Sequence, residues 1–219
     1  MTTREALSKV DYIVAARLGD PAHSHVLALM RAEYTNRDGR MVPTELRLER
    51  LEEQPGPPTE LAARLAKIRP LAIERSQAAL GTAKIIVDVS RSPEAWHGIL
   101  ARTPVSTFIC VTTGGRAVPS VPFWNLGRLN LLSRLAAEVA EGRVRVAAAP
   151  DPGPLVWDVA RVREALAGAR LPPPPAETDS FLTETTTLDD AALAIASACW
   201  FAQYCPSVDY EEARYAVAQ

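Results

Sequence analysis

The sequence of 219 residues has few cysteines, no long apolar run and almost no net charge. The three cysteines, Cys110, Cys199 and Cys205, lack CxxC spacing, which argues against a disulfide framework or a zinc site. No apolar run reaches the ~18 residues of a transmembrane helix, and the first residues lack the basic-then-apolar pattern of a signal peptide. We therefore expect a cytoplasmic protein without membrane contact.

The formal net charge of −2 gives the chain no overall attraction for nucleic acid. Any contact with DNA would have to come from a local basic patch, and Arg116, Arg143 and Arg145 are our candidates for binding phosphate. A solvated basic face is the simpler alternative for the same arginines. The chain also lacks the G-x-x-x-x-G-K-[ST] loop that cradles nucleotide phosphates.

An apolar fraction of 47% indicates a globular protein with a buried core. The pattern predicts three antiparallel strands, two of them joined at the hairpin signal "NRDG", then alternating helices and strands that include "AKIIVDVS" and "STFICVTT". A strand, a helix and another strand imply a parallel crossover. We predict an α/β fold with a mixed five-stranded sheet, antiparallel at one end and parallel at the other. We expect one domain over residues 1–205 and a C-terminal tail over 206–219.

Helical patterns follow the first three strands and dominate the second half of the chain. In "TELAARLAKIRPLAIERSQAAL" we expect Pro70 to kink or divide a helix and Gly81 to close it. "WNLGRLNLLSRLAAEVAEG" predicts an amphipathic helix that Gly142 ends. "GPLVWDVARVREALAGA" and "LDDAALAIASACWFA" predict two more, with a proline-rich segment between them.

Acidic residues stand at two places where ligands are commonly bound. Asp88 ends an apolar strand, and open α/β sheets bind ligands at the carboxyl ends of strands. Asp189 and Asp190 open the last helix, which could bring them to the same place. Carboxylate oxygens suit Mg²⁺ or Mn²⁺. The simpler alternatives are a turn that Asp88 caps over Ser90, and acids that complement the helix dipole.

His23 and His25 form an H-x-H pair close to Asp20 in sequence. On a strand both histidines would face the same side, which makes metal binding conceivable. A third ligand at clear spacing is missing from the sequence, so the pair alone is a weak indication of a metal site.

Four stretches together give the chain a resemblance to a known family. They are "YIVAARLGDPAHSHVLALM", "AKIIVDVSRSPEAWHGIL", "VPFWNLGRLNLLSRLAAEVAEGRVRVA" and "LDDAALAIASACWFA", and they run from about Tyr12 to Ala202. In order and spacing they resemble the nuclease domain of phage large terminase subunits, a branch of the RNase H-like fold. The resemblance implies DNA phosphodiester hydrolysis that depends on Mg²⁺ or Mn²⁺. It also implies catalytic roles for Asp88, Asp189 and Asp190.

The sequence departs from the family at positions that would touch metal or DNA. Arg17 stands where the family has its first aspartate, and a cation there would repel a metal ion and could instead pair with Asp88. Asp20 is the candidate replacement, which makes Asp20, Asp88 and Asp190 the predicted metal ligands. Leu188 stands where the family has histidine.

These departures leave two functions open. One is a nuclease with weakened activity that acts on DNA. The other is an inactive RNase H-like structural or adaptor subunit that works with a separate packaging ATPase or another phage protein.

Overall fold

A computed structural model describes residues 8–20, 24–37, 40–77, 81–112, 118–120, 123–146 and 187–204. It consists of one mixed sheet with helices on both faces. The strands in chain order are β1 (Ser8–Arg17), β2 (His25–Arg37), β3 (Arg40–Gln54), β4 (Ala83–Asp88), β5 (Thr107–Thr112), β6 (Val118–Ser120), β7 (Phe123–Gly127) and β8 (Val144–Val146). The helices are α1 (Pro58–Gln77), α2 (Trp96–Leu100) with a 3₁₀ turn before it (Pro93–Ala95), α3 (Arg128–Ala140) and α4 (Thr187–Tyr204).

Within the described residues the sheet has eight strands in the order β6-β7-β5-β4-β1-β2-β3-β8. β1, β2 and β3 form an antiparallel meander, and β4, β5 and β7 continue parallel to β1. The predicted mixed α/β fold is confirmed, and the five predicted strands correspond to β1–β5. The predicted strand count is wrong, because β6, β7 and β8 extend the two edges.

β7 lies where the sequence pattern predicted the start of a helix. Phe123–Gly127 pairs in parallel with β5, and Gly127 keeps an extended backbone (φ −68°, ψ 126°) immediately before α3. Trp124 of this strand packs on Trp200 of α4, with 5.7 Å between ring centroids. A run of five residues is too short to distinguish a strand period from a helical one, so the aromatic strand looked like a first helical turn.

Other boundaries differ from the predicted ones. α1 is a single helix that includes Pro70, so the proline does not divide it, and the kink that we expected as the alternative stays a prediction. The helix predicted in "GPLVWDVARVREALAGA" and the tail predicted over residues 206–219 lie outside the described residues. Within the described part of the chain, no helix is both long and apolar enough to cross a membrane.

Successive residues of β1 point to two different cores. Ile13 and Ala15 belong to the cluster on the α4 side, whereas Tyr12, Val14 and Ala16 belong to the cluster on the α1 side. This alternation is the two-residue period of a strand that is covered on both faces. β1 is therefore a central strand, and each of its side chains is assigned to one face by its position.

α4 is the most deeply buried helix of the described structure. All residues from Asp190 to Ala202 are buried, and alanines make up a large part of the helix. Small side chains allow the helix to pack closely on the sheet, where Ala15, Ala28 and Ala32 face it. A helix that is apolar all round is typical of a buried position. The acids at its start are therefore brought to the sheet by extensive packing.

Gly81 gives the clearest test of how closely the crossover approaches β1. A Cβ atom at Gly81 would lie 1.5 Å from the carbonyl oxygen of Val10, which is backbone and cannot turn away. We expect Gly81→Ala to lower the free energy of unfolding by about 1–3 kcal/mol, because β4 must shift away from β1. Urea unfolding measures this change. Gly98→Ala is the matched control, since a Cβ there meets nothing within 4 Å, and equal unfolding midpoints for the two variants would contradict the prediction.

Glu138 of α3 is a buried acid that connects α3, β8 and α4. It accepts a hydrogen bond from Nε of Arg143 at 2.5 Å, pairs with Arg134 at 3.2 Å, and accepts one from the amide of Gln203. Burial alone would raise the pKa of Glu138, but the hydrogen bond and charge of Arg143 outweigh it, and the pKa lies below its ordinary value. The carboxylate therefore stabilises the fold in its ionised form.

This lowered pKa predicts a defined dependence of stability on pH. The contribution of Glu138 is present above the unfolded pKa of about 4.3 and is lost as pH falls through the lower, folded value. We expect Glu138→Gln to be less stable near neutral pH by about 1–3 kcal/mol, and the difference from wild type to shrink towards about pH 3. Chemical unfolding at several pH values measures it. Glu74→Gln, at an exposed acid of α1, is the control, and a difference for Glu138→Gln that does not change with pH would refute the assignment.

Candidate functional site

The sheet register places Arg17 and Asp88 side by side. The two residues are direct partners at the carboxyl ends of the parallel strands β1 and β4. By alternation both face α4, because Ala15 and Ile86, two residues before them, belong to the core on that side. The strand order reverses between β1 and β4, which is the position where open α/β sheets bind ligands.

α4 completes the site by adding Asp190 from its first turn. Nε of Arg17 donates to Oδ1 of Asp190 at 2.7 Å, and Nη1 of Arg17 donates to Oδ2 of Asp88. The side chains of Arg17, Asp88 and Asp190 are 7%, 3% and 2% exposed. One buried guanidinium therefore joins two buried carboxylates from a strand and a helix.

The remaining carboxylate oxygens are also hydrogen bonded. Oδ1 of Asp88 accepts the backbone N–H of Ser90 at 2.9 Å and also its hydroxyl, so the turn cap proposed for Asp88 is present. Oδ2 of Asp190 accepts Nη1 of Arg91 at 2.7 Å. Ser90 is held in turn, because its Oγ accepts the N–H of Val111 at 2.7 Å. All four oxygens of the two aspartates thus accept hydrogen bonds from the protein itself.

Asp20 lies on the outer side of this cluster. Its carboxylate is 3.9 Å from Nε of Arg91 and 29% exposed. It therefore approaches Arg91 and not the guanidinium that joins Asp88 and Asp190. Asp189 lies in the first turn of α4, and its side chain falls outside the described set.

The charge of Arg17 is fixed by its surroundings. Burial alone would lower the pKa of Arg17, but the negative charges of Asp88 and Asp190 outweigh it and the pKa is raised. An arginine is protonated at any physiological pH even without such help. The centre of the cluster is consequently a permanent positive charge.

This arrangement does not fit the predicted metal site. Mg²⁺ requires oxygen ligands at about 2.0–2.1 Å, and the guanidinium of Arg17 lies between the carboxylates of Asp88 and Asp190 that would supply them. Among the described residues no group of three or more His, Cys, Asp or Glu side chains is placed to hold a metal ion. Of the predicted set, Asp88 and Asp190 bind Arg17 and Asp20 approaches Arg91, and metal binding by these three acids stays a prediction.

The arginines predicted to bind phosphate lie elsewhere. Arg143 and Arg145 are at β8, four strands from β4 across the sheet, or about 19 Å. Through the strand pairings Arg145 is level with Tyr12, five residues before Arg17 and about 17 Å along the strand. Arg143 pairs with Glu138, whereas Arg145 is 65% exposed. Arg116 lies outside the described residues. Neither of the two arginines that the structure describes, Arg143 and Arg145, lies at the acidic site.

The histidine pair gives no metal site in the described residues either. Nδ1 of the buried His25 accepts the backbone N–H of Gly19 at 2.8 Å, which secures the turn after β1. Burial lowers the pKa of His25, so it stays neutral in this position. His23 lies outside the described residues.

Arg91 is the site residue that the sequence interpretation missed. It stands in "SRSP", directly after the strand that ends at Asp88, and the structure places it against Asp190 and Asp20. The only signal was a cation three residues after a strand-ending acid. That spacing alone does not tell whether the side chain turns towards the sheet or the solvent.

Comparison with known proteins gives structural matches only. No family model and no curated protein matches the chain. The human cytomegalovirus terminase nuclease domain is similar at 10% identity and a TM-score of 0.54, covering 91% of this chain and 87% of that one. The same domain soaked with Mn matches at 12% identity and 0.53 over the same shares. The large terminase nuclease from the thermophilic phage G20c matches at 15% identity and a TM-score of 0.47, over 92% of this chain and 91% of that one.

At such low identities the similarity to the cytomegalovirus domain concerns the fold. It extends over about nine tenths of the chain. The resemblance predicted from the four sequence motifs is thereby confirmed at the level of structure. The chain has the RNase H-like fold of terminase nuclease domains.

Proposed function

We propose that this chain is a catalytically inactive module with a terminase nuclease fold, which serves as a structural or adaptor subunit in DNA packaging. One observation carries the proposal. The guanidinium of Arg17 lies between Asp88 and Asp190, at the strand ends where the fold would hold a metal ion. A nuclease of the kind that the fold suggests needs those carboxylates free to bind divalent cations.

The chemistry of the cluster supports inactivity beyond the position of one side chain. Both aspartates are nearly fully buried and hydrogen bonded, and burying a charge is costly unless it is paired in this way. To bind a metal ion, the chain would first have to withdraw Arg17 and leave it without partners. Breaking a buried ion pair by removing one partner costs about 3–5 kcal/mol.

A protein partner fits the chain better than DNA as its main contact. The net charge is −2, and of the basic residues predicted for DNA, Arg143 is paired with Glu138 and Arg145 lies far from the acidic site. These 219 residues contain no phosphate loop, so a packaging role would need a motor from outside them, for which we propose a packaging ATPase or another phage protein. Contact with DNA belongs to the second candidate function, a DNA nuclease.

The second candidate is a metal-dependent DNA nuclease of low activity. It is favoured by the convergence of Asp88 and Asp190, and by the cytomegalovirus domain of similar fold, whose structure was determined after soaking with Mn. In that case Asp88, Asp189 and Asp190 would be the catalytic carboxylates, and Asp20 would have to replace the ligand lost at Arg17. This candidate requires a rearrangement of the ion network.

A cleavage assay separates the two candidates. The purified chain is incubated with supercoiled and with linear DNA in Mg²⁺, in Mn²⁺ and in chelator. We expect the same DNA pattern in all three conditions, because Arg17 keeps divalent cations from Asp88 and Asp190. Calorimetric titration with Mn²⁺ should give only the heat of dilution.

The control is Asp88→Asn, purified in parallel, which reveals any contaminating nuclease. Cleavage by the wild-type chain that disappears in chelator and in Asp88→Asn would refute the proposed inactivity and establish the second candidate. Cleavage that both proteins share would come from a contaminant and would leave the proposal standing.

The adaptor role is tested by binding. The chain is mixed with the packaging ATPase from the same genome and examined by size-exclusion chromatography with light scattering. We expect a complex with defined stoichiometry, since neither chain alone would supply both a motor and this module. Two species that elute at their separate masses would exclude that partner.

A further inference from the structure

The charged residues of the site form one continuous chain of alternating sign. The order is Asp88, Arg17, Asp190, Arg91 and Asp20. The chain connects the end of β1, the end of β4 with its following turn, and the first turn of α4. Four of its five members are almost completely buried, and Asp20 alone is substantially exposed.

Asp190 is the shared member at the centre. Its Oδ1 receives Nε of Arg17 at 2.7 Å, and its Oδ2 receives Nη1 of Arg91 at 2.7 Å. One carboxylate with a different cation on each oxygen is also the way in which an acid bridges a pair of metal ions. In this chain both cations are guanidinium groups that belong to the protein.

Some cation is needed at this place for the helix to dock. Asp88 and Asp190 both direct a carboxylate oxygen at the same guanidinium, so without it two buried negative charges would face each other. Like charges in a low-dielectric interior repel strongly. The start of α4 would then have to lift off the sheet or one aspartate would have to take up a proton.

We infer that Arg17 and Arg91 replace a pair of divalent cations as the positive charges that fix the first turn of α4 to the carboxyl ends of β1 and β4. Arg17 is the essential positioning residue, because its guanidinium joins the strand acid Asp88 directly to the helix acid Asp190. Arg91 neutralises the second oxygen of Asp190 from the outer side. The fold thereby holds α4 in place without any metal.

Stability, and not catalysis, is then the property of the protein that depends on Arg17. The inference rests on the same geometry as the proposed function, but its test measures unfolding and the two can fail separately. With Arg17 present, added Mn²⁺ has nothing to stabilise. In a variant without Arg17, Mn²⁺ can bind between the two facing carboxylates and restore the positive charge that the guanidinium supplied.

The test compares thermal unfolding in chelator and in Mn²⁺ for the wild type, Arg17→Met and the control Arg47→Met. Arg47 pairs with Glu45 on β3 but is 40% exposed, so its loss should change little. We expect wild type and Arg47→Met to unfold at the same Tm in both conditions. Arg17→Met should lose about 10 °C in chelator and regain a substantial part of it in Mn²⁺.

A double variant gives a second test of the inference. Adding Asp88→Asn to Arg17→Met removes one of the two facing charges, so it should recover part of the lost Tm in chelator and no longer respond to Mn²⁺. If Arg17→Met stays unfolded in chelator, refolding on addition of Mn²⁺ supports the inference and failure to refold overturns it.

Three results would contradict the inference. Unfolding of Arg17→Met at the wild-type Tm would show that no cation is needed. A loss of stability in Arg17→Met without any response to Mn²⁺ would show that the guanidinium does not replace a metal ion. A wild-type Tm that rises in Mn²⁺ would show that a metal still contributes in the presence of Arg17.

Discussion

The structure depends on one electrostatic constraint, which is that Asp88 and Asp190 cannot lie together in the interior without a positive charge between them. The fold brings both acids to the same point by packing, since β4 is a central strand and α4 is buried along most of its length. Arg17 satisfies the constraint from the neighbouring strand. The apolar core and the ion network thus support the same arrangement, in which α4 packs mainly over β1 and β2 and its first turn lies at the carboxyl ends of β1 and β4.

Much of the fold could be predicted because it follows from local patterns. The alternation of β1, the Asp-Gly hairpin signal and the crossover to β4 are visible in the sequence, and so the meander and the parallel half of the sheet were correct. β7 and β8 were not counted among the strands of the sheet because both are short, and β8 is defined by pairing with β3, which is distant in sequence. Pairing over such distances leaves little local pattern.

The acids of the site and the pairing of Arg17 with Asp88 could be predicted, whereas the contacts of Arg17 and Arg91 with Asp190 could not. Asp88 at a strand end and Asp190 at a helix start occupy positions whose meeting follows from the topology. The position of the Arg17 side chain depends on which face of β1 it occupies and on how close α4 comes, and both are tertiary facts. Arg91 was harder still, because a turn gives no periodicity from which to infer direction.

The pairing of Arg17 with Asp88 also has a consequence for how the chain finds its native sheet. If β1 slid by two residues along β4, apolar side chains would still meet apolar side chains on each face, so burial alone hardly distinguishes the two alignments. The slipped alignment, however, would put Ala15 next to Asp88 and leave the buried carboxylate of Asp88 without its ion-pair partner. The salt bridge therefore favours the native register over a shifted one that the burial of apolar side chains alone would allow.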